Sequence, residues 1–404
     1  MNKLTENKHC LACGSNNLVP SLDLGQQPLA NSYLSDLNEN EEKYPLAVNL
    51  CQECCHLQLT HTVDPEIIYK NYLYVSGTTK TLKDNMKWFS DYVKETVGVT
   101  SNRVLDIGCN DGTQLKFFKD LGYETWGVDP AENIYATSSK DHHIICDFFG
   151  PDIVDQINVE FDAITAQNVF AHNPNPLAFL STCQKLMSDH TLLFIQTSQA
   201  DMVLNDEFDT IYHEHINFFN ANSMKCLAAR AGLNLIDVTK TPIHGNSYIF
   251  VMSRQSQNIH HVQNVIAMES AYGLQNLDTY TQWANTVKNN IKHLIDTVDQ
   301  YRNNGYTLIG YGAAAKGNTL LNFSKIKLDF IIDDNPLKQG KFTPGTRCPI
   351  VSIDLLQNFD SDSKLLFVPL AWNFFKEIKS NIQRARSNNN DKFLKYFPTV
   401  EVSS

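Results

Sequence analysis

The sequence predicts an α/β protein in three parts: a small cysteine-bearing N-terminal unit, a Rossmann-like nucleotide fold, and a second Rossmann-like α/β fold at the C-terminus. Three observations carry this. Two C-x-x-C knuckles, Cys10/Cys13 and Cys51/Cys54, fall in the first 75 residues. The stretch R-V-L-D-I-G-C-N-D-G-T-Q-L-K-F-F-K-D-L-G-Y-E-T-W-G-V-D-P, Arg103 to Pro130, reads strand, glycine turn, helix, strand. From Tyr306 another apolar run and glycine loop, T-L-I-G-Y-G-A-A-A-K-G, repeat that pattern. The units implied are 1–75, 76–255 and 256–404.

A chain of 404 residues has ample core for two or three domains. Its 42% hydrophobic and 19% charged content describe a soluble globular protein. The formal charge of -11 argues against nucleic acid as a partner, since duplex binding needs a basic face. One phosphorylated small molecule held by a few local cations remains compatible with it. No apolar run is long enough to span a membrane, and the opening M-N-K-L-T-E-N-K is polar, unlike a signal peptide. Ten cysteines, four in knuckles and six scattered, suit reduced thiols in a cytoplasmic protein, a monomer or small homo-oligomer.

Two C-x-x-C knuckles can present four thiolates tetrahedrally, so Cys10, Cys13, Cys51 and Cys54 are expected to hold a structural Zn2+. Their separation exceeds the usual ~15–20 residues, and the insert L-D-L-G-Q-Q-P-L-A-N-S-Y is read as a hairpin or loop excursion. Cys55 or His56 could replace one ligand. Redox dithiols and unliganded cysteines are the competing readings. With four protein ligands the ion would be structural, standing in for a core that the unit cannot build.

I-I-Y-K-N-Y-L-Y-V-S-G then leads into a helix from Lys80 to Val97. Tyr72 and Tyr74 in it suit interdomain packing, with a catalytic tyrosine as the alternative.

In the central unit, Val104 to Ile107 is a buried parallel strand, Gly108 and Gly112 bracket a turn, and Thr113 to Leu121 is a helix. A second strand, Thr125 to Val128, ends on Asp129 and Pro130, where a ribose would sit. A dinucleotide loop wants G-x-G-x-x-G. Here Cys109-Asn110-Asp111 fills the loop, and Asp111 would repel a phosphate. Asp106 and Asp111 suit a ligand with a positive charge and an amino group, which S-adenosylmethionine carries. D-x-G-x-x-x-G with an acidic strand end resembles the class I methyltransferases. A nicotinamide or flavin site, or no ligand, are the alternatives. A third strand over Ile144 to Phe149 would bring Asp147 and Phe148 beside an adenine. A fourth, 161 to 170, would set Gln167 and Asn168 at the cleft edge. His172 follows, either in a polar turn or catalytic, before a helix near Pro176 and a fifth strand, Thr191 to Gln196.

D-T-I-Y-H-E-H concentrates titratable groups. As an extended segment it would turn Tyr212 and Glu214 to one face, His213 and His215 to the other. A second metal site, a satisfied core cluster and a general acid/base cluster compete, the last favoured by its place after the fifth strand. His244-Gly245-Asn246-Ser247 could present groups to the same acceptor. Residues 260–303 read as helical, with Trp283, Val287, Ile291, Leu294 and Val298 in one buried stripe bridging two units. In the last unit the glycine loop with Lys316 could hold a phosphate, a strand ends on Asp333-Asp334, and another spans 365–374 with Trp372. A diphosphate contact, a vestigial fold and a dinucleotide site are the readings there.

Taken together, the knuckles, L-Y-V-S-G, G-C-N-D-G, N-V-F-A-H, D-T-I-Y-H-E-H, H-G-N-S, G-x-G-A-x-x-K-G, D-D-N-P and A-W-N-F resemble the three-domain sugar C-methyltransferases that act on nucleotide-linked 4-keto-deoxysugars. The resemblance runs over nearly the whole chain. It implies that Tyr212, Glu214 and His215 face the acceptor with His215 as base, and that His172 and Tyr74 take part. The expected chemistry is removal of an acidic proton beside the ketone, then capture of a methyl group by the enolate, with Glu214 tuning His215. Two positions depart from the family pattern: Gln196-Thr197-Ser198-Gln199, where an acidic residue is common, and Gly245-Asn246, where two glycines are. Both bear on the identity of the acceptor. N- or O-methylation of a sugar, or a non-catalytic zinc- and nucleotide-binding scaffold, are the alternatives.

Overall fold

The computed structural model describes residues 3–69, 80–98, 103–198, 201–242, 246–256, 259–386, 388 and 390–404. Strand β1 (Leu4–Glu6) pairs with the later β5. Strands β2 (Leu18–Gln27), β3 (Tyr44–Cys51) and β4 (Leu57–Leu59) form an antiparallel sheet. In β3 the alternation Tyr44, Leu46, Val48, Leu50 buries one face, as a two-residue period requires. The expected insert between the knuckles is half strand, half loop: Leu22–Gln27 belongs to β2, and residues 28–34 leave the sheet. Strand β5 (His61–Val63) and helix α1 (Pro65–Tyr69) complete this part.

The middle part starts with α2 (Lys80–Val97), at its expected bounds. Strand β6 (Arg103–Ile107), α3 (Thr113–Asp120), β7 (Glu124–Val128), α4 (Glu132–Ser138), β8 (His143–Ile145), β9 (Phe161–Gln167), α5 (Pro176–Leu186) and β10 (Met187–Ser198) follow. Pro176 at the first turn and Asn175 Oδ1, accepting from Ala178 N at 3.1 Å, start α5 where the sequence places it. Strand β11 (Asn217–Phe218), α6 (Ala221–Arg230), β12 (Asn234–Thr241) and β13 (Ser247–Ser253) complete it. Seven strands lie in the order β12-β13-β10-β9-β6-β7-β8, with β13 antiparallel to both neighbours. Strand β11 is not among them. It pairs Asn217 with Gln58 and Phe218 with Leu57, adding an edge to the cysteine-bearing sheet.

Helices α7 (His260–Ala271) and α8 (Leu277–Asn303) lead to the last part. On α8 the expected stripe Trp283, Val287, Ile291, Leu294 and Val298 is buried. It shares one cluster with Leu22, Leu46 and Val48 of the first sheet and Leu308, Ile331 and Val368 of the last. Burying each such side chain is worth ~1.5–3 kcal/mol, so the helix joins the parts through their cores. The last sheet, built from β14 (Thr307–Tyr311), β15 (Phe330–Ile332), β16 (Ile350–Val351), β17 (Leu365–Pro369), β18 (Lys392–Lys395) and β19 (Glu401–Ser403), has the order β16-β15-β14-β17-β18-β19. Helix α9 (Ala315–Ser324) follows β14, and α10 (Phe375–Ala385) follows β17. The strand expected over 365–374 stops at Pro369. Trp372–Phe374 is a 3-10 turn, since the indole leaves the sheet for a buried carboxylate described below. Among the described residues no helix is long and apolar enough to cross a membrane.

Candidate active site

The carboxyl ends of the adjacent parallel strands β9, β6 and β7 lie side by side, at the edge where open α/β sheets bind their ligands. Gly108 has φ +74, and a Cβ there would stand 2.2 Å from Val169 Cγ2, so the turn admits only glycine. Gly112, at φ +79, starts α3, and Asp111 Oδ1 accepts from Thr113 N at 3.1 Å. Asp129 Oδ2 accepts from Asn110 N at 2.9 Å and Oδ1 from Ala131 N at 2.9 Å, so the acidic strand end ties the loop together. Burial raises its pKa. Asp106 lies beneath this loop rather than open to a ligand: Thr165 Oγ1 donates to it at 2.7 Å, and burial lifts its pKa to about 7. Pro130 and Asp147 are exposed, and Phe148 is 53% exposed, an open aromatic face beyond β8. Gln167 Nε2 donates to Gln114 at 2.8 Å; the buried Asn168 Oδ1 has no partner. An acidic strand end, an open aromatic face and an orphaned acceptor at the cleft edge fit S-adenosylmethionine.

The four cysteine sulfurs lie within 4.8 Å of one another, with Cys10–Cys54 at 3.6 Å and Cys13–Cys51 at 3.5 Å. A tetrahedral zinc with ~2.3 Å bonds needs its sulfurs about 3.8 Å apart, which this set matches. The two knuckles close alike: Gly14 N donates to Cys10 O at 2.8 Å and Cys55 N to Cys51 O at 2.9 Å, both residues at positive φ. Cys55 thus serves the second turn as Gly14 serves the first, and it is not a spare ligand. His56 is buried against Phe219, with Nε2 3.1 Å from Asn217 Oδ1. Among the described residues no other group of three or more metal-ligating side chains is close enough to hold a metal, and the His213 and His215 side chains point apart.

The segment 209–216 is a run of turns rather than an extended strand, which overturns the expected alternation. His215 N donates to Tyr212 O at 2.9 Å, and this turn puts the two side chains together. Tyr212 Oη lies 2.8 Å from His215 Nε2, with ring centroids 4.0 Å apart. The His172 ring is 5.0 Å from His215, and burial pushes its pKa down to about 4. Ile216 N donates to Ala171 O at 3.0 Å, fastening the segment to the turn after β9. His213 faces away, edge-on to Tyr44, with burial holding it near 4. Glu214 is not the partner of His215. Its oxygens accept from Asn31 Nδ2 at 2.8 and 2.9 Å, and burial raises its pKa to about 7. The tuning of His215 by Glu214 is therefore corrected: the turn sends the carboxyl to the first unit.

Lys316 does not open toward solvent. Its Nζ is enclosed without a hydrogen-bond partner, 5.0 Å over the Trp372 ring, and its charge acts on Glu207 and Asp209. A phosphate there would meet two carboxyl groups, so the expected diphosphate contact does not suit this position. The Trp372 indole, also expected at the substrate, donates to Asp209 Oδ2 at 2.9 Å. Asn246 Nδ2 donates to Asp201 Oδ2 at 2.8 Å, beside the Lys240–Asp201 ion pair. Tyr72, Tyr74 and His244 lie outside the described residues. Sequence reasoning missed Asn31 and Asp209, whose partners are remote in the chain. Gln196, singled out in the sequence as bearing on the acceptor, has both its amide atoms buried without partners.

Family models match three consecutive stretches: a zinc binding domain over 10–69, a methyltransferase domain over 77–238, and a C-methyltransferase C-terminal domain over 242–398. The chain is 29% identical over 413 aligned residues to the C-methyltransferase NovU of Streptomyces niveus, spanning 98% of this chain and 96% of that one. It is 31% identical over 114 residues to the ubiquinone biosynthesis O-methyltransferase of Glaesserella parasuis serovar 5, spanning 26% of this chain and 48% of that one. A partial likeness extends to magnesium protoporphyrin IX methyltransferase (ChlM) from Synechocystis PCC 6803 with bound SAM: 12% identity, TM-score 0.34, 43% of this chain and 79% of that one. With three domains matched in order and a C-methyltransferase aligned along nearly its whole length, the chain belongs to the S-adenosylmethionine-dependent C-methyltransferases.

Proposed function

We propose that the protein methylates the carbon beside the keto group of a nucleoside-diphosphate-linked 4-keto-deoxysugar, with thymidine diphosphate as the carrier, in the cytoplasm. The observation that carries this is the contact between Tyr212 Oη and His215 Nε2 at 2.8 Å, beside His172. His215 Nδ1 lies 2.8 Å from the Thr210 carbonyl, which can only accept, so the ring's proton sits on Nδ1 and the lone pair on Nε2. Nε2 is then the base that removes the proton beside the ketone. As Nε2 takes that proton, the Tyr212 hydroxyl is released to donate to the enolate oxygen. His172, kept neutral by burial, is a second N–H donor for that oxygen. Glu214, its pKa lifted to about 7 by burial, is held by Asn31 of the first unit and braces the turn rather than facing the acceptor. S-adenosylmethionine supplies an electrophilic methyl group. The loop 108–112, Asp129 and Phe148 bind and orient the nucleoside of that donor, and the zinc knuckles have no part in the chemistry. None of the ten cysteines is in a disulfide, which supports the cytoplasmic placement.

The test is incubation of the purified protein with S-adenosylmethionine and a thymidine diphosphate 4-keto-deoxysugar, with the product read by mass and carbon NMR. A new carbon-bound methyl group next to the ketone is expected. Without the methyl donor, in heavy water, the acceptor's α-proton should exchange in the wild type and not in His215→Ala. A methyl group found on oxygen or nitrogen, or an α-proton retained by active enzyme, would sink the enolate route. No turnover with any nucleotide-linked keto sugar would sink the substrate class.

A further inference from the structure

We infer that the C-terminal unit fixes the tautomer of the base: Trp372 and Tyr396 hold Asp209, and through it the Thr210 carbonyl that keeps the ring proton on Nδ1 of His215. The inference rests on His215 being the base, as proposed above. The neutral side chain of a free histidine in water favours the opposite tautomer, with the proton on Nε2. Something must therefore hold the Thr210 oxygen against Nδ1 at 2.8 Å.

The 207–211 backbone has two local bonds, Ile211 N to Phe208 O at 2.9 Å and Glu207 N to Met202 O at 2.8 Å, and neither holds the Thr210 carbonyl. Its other anchors come from α8 and beyond. Trp283 Nε1 donates to Glu207 O at 2.9 Å, and Thr319 Oγ1 to Ile211 O at 3.2 Å. Between them Asp209 Oδ2 accepts from Trp372 Nε1 at 2.9 Å and from Tyr396 Oη at 3.0 Å. These four donors bracket Thr210 from both sides, and each comes from an element 76 or more positions later in the chain. The Thr210 carbonyl can shift little without breaking one of them.

Asp209 is 1% exposed. A carboxylate so enclosed is costly unless it is hydrogen-bonded and its charge is met. The indole and phenol donors satisfy Oδ2, while Oδ1 is buried without a partner, and Lys316, over the same indole, supplies the opposite charge. This gives Lys316 and Trp372 a shared task that a diphosphate site would not explain. Asp209 reaches no ring of the His172–Tyr212–His215 cluster. It is a positioning residue, acting through the next residue's carbonyl. Partners that orient the far nitrogen of metal-bound histidines matter by about 10- to 100-fold in activity, and an effect of the same order is expected at His215.

Trp372→Phe and Tyr396→Phe keep a ring and delete one donor each; Thr319→Val removes the anchor on the other side. Histidine-selective 15N NMR of the protein saturated with S-adenosylhomocysteine reads the His215 tautomer, assigned by the signal lost in His215→Gln. The wild type should show a protonated Nδ1 and a bare Nε2. In the variants the two shifts should converge, and kcat should fall about 10- to 100-fold in Trp372→Phe/Tyr396→Phe, with the acceptor's KM and the cofactor product's affinity unchanged. Should the double variant fold poorly, each single variant must still move the tautomer. Activity lost with the tautomer unchanged, or a tautomer unmoved in any one of the three single variants, overturns the inference. Because the NMR readout needs no turnover, failure of the acceptor assay sinks the proposed reaction separately.

Discussion

Asn31 and Glu214, 183 positions apart, meet through one side-chain amide nitrogen that donates to both carboxylate oxygens, at 2.8 and 2.9 Å. The loop that carries Asn31 is pinned from the other side too. Asn318 Nδ2 donates to Ala30 O at 2.7 Å, and Tyr33 Oη to Ala313 O at 2.5 Å. One excursion of the cysteine-bearing unit therefore touches the acceptor segment and the C-terminal glycine loop together.

Burial of Glu214 makes stability depend on pH with a definite sign. Its pKa rises from an ordinary 4.5 to about 7, opposed in part by Asn31. The folded state holds the proton more tightly than the unfolded state. Stability present below 4.5 is thus lost as pH rises through about 7, with a ceiling of about 3 kcal/mol. Glu214→Gln has the same shape and no charge. It should match the wild type at pH 4.5 and exceed it by about 1–3 kcal/mol at pH 8 in urea unfolding. An equal difference at both pH values would show that Glu214 is not the titrating group.

Gly108→Ala combines strain at φ +74 with a Cβ 2.2 Å from Val169 Cγ2. The backbone strain alone is ~1–2 kcal/mol. Calorimetry with S-adenosylhomocysteine should show affinity reduced about tenfold or more, since 1.4 kcal/mol is a factor of ten, with zinc content unchanged. Undiminished binding would mean that this loop is not the cradle.

Zinc removal should reach the acceptor segment before the cofactor cleft. The cysteine-bearing sheet ends on β11, directly after His215, while the cleft belongs to a different sheet. Chelation should abolish methyl transfer while S-adenosylhomocysteine still binds within a few-fold, and a stoichiometric zinc addition should restore turnover. Full activity in metal-free protein would refute the mechanical link.

The parts of the fold legible in the sequence are those set by neighbours in the chain. The Gly108–Asp129 turn, the α8 stripe and the Pro176 helix start each depend on residues within a few turns of one another, so their spacing survives in the sequence. The acceptor segment was recognisable as a cluster but not as a shape. Its turns are imposed by Asn31, Thr319 and Trp372, none of them near in sequence. Period-two alternation fails where no ladder partner exists to enforce it. For the same reason Lys316 reads as a phosphate ligand until its indole lid and the facing carboxylates are seen.

Strand β11 also governs the order in which the chain can finish folding. Until residue 218 has left the ribosome, β4 presents Leu57 and Gln58 as an unpaired rim able to template onto another chain. At ~5–20 residues per second that interval lasts on the order of ten to thirty seconds, long enough for nascent chains to find one another. An isolated fragment ending near residue 75 would keep that rim permanently. It should self-associate even with its zinc in place, whereas extension past Phe218 and α6 should leave it monodisperse.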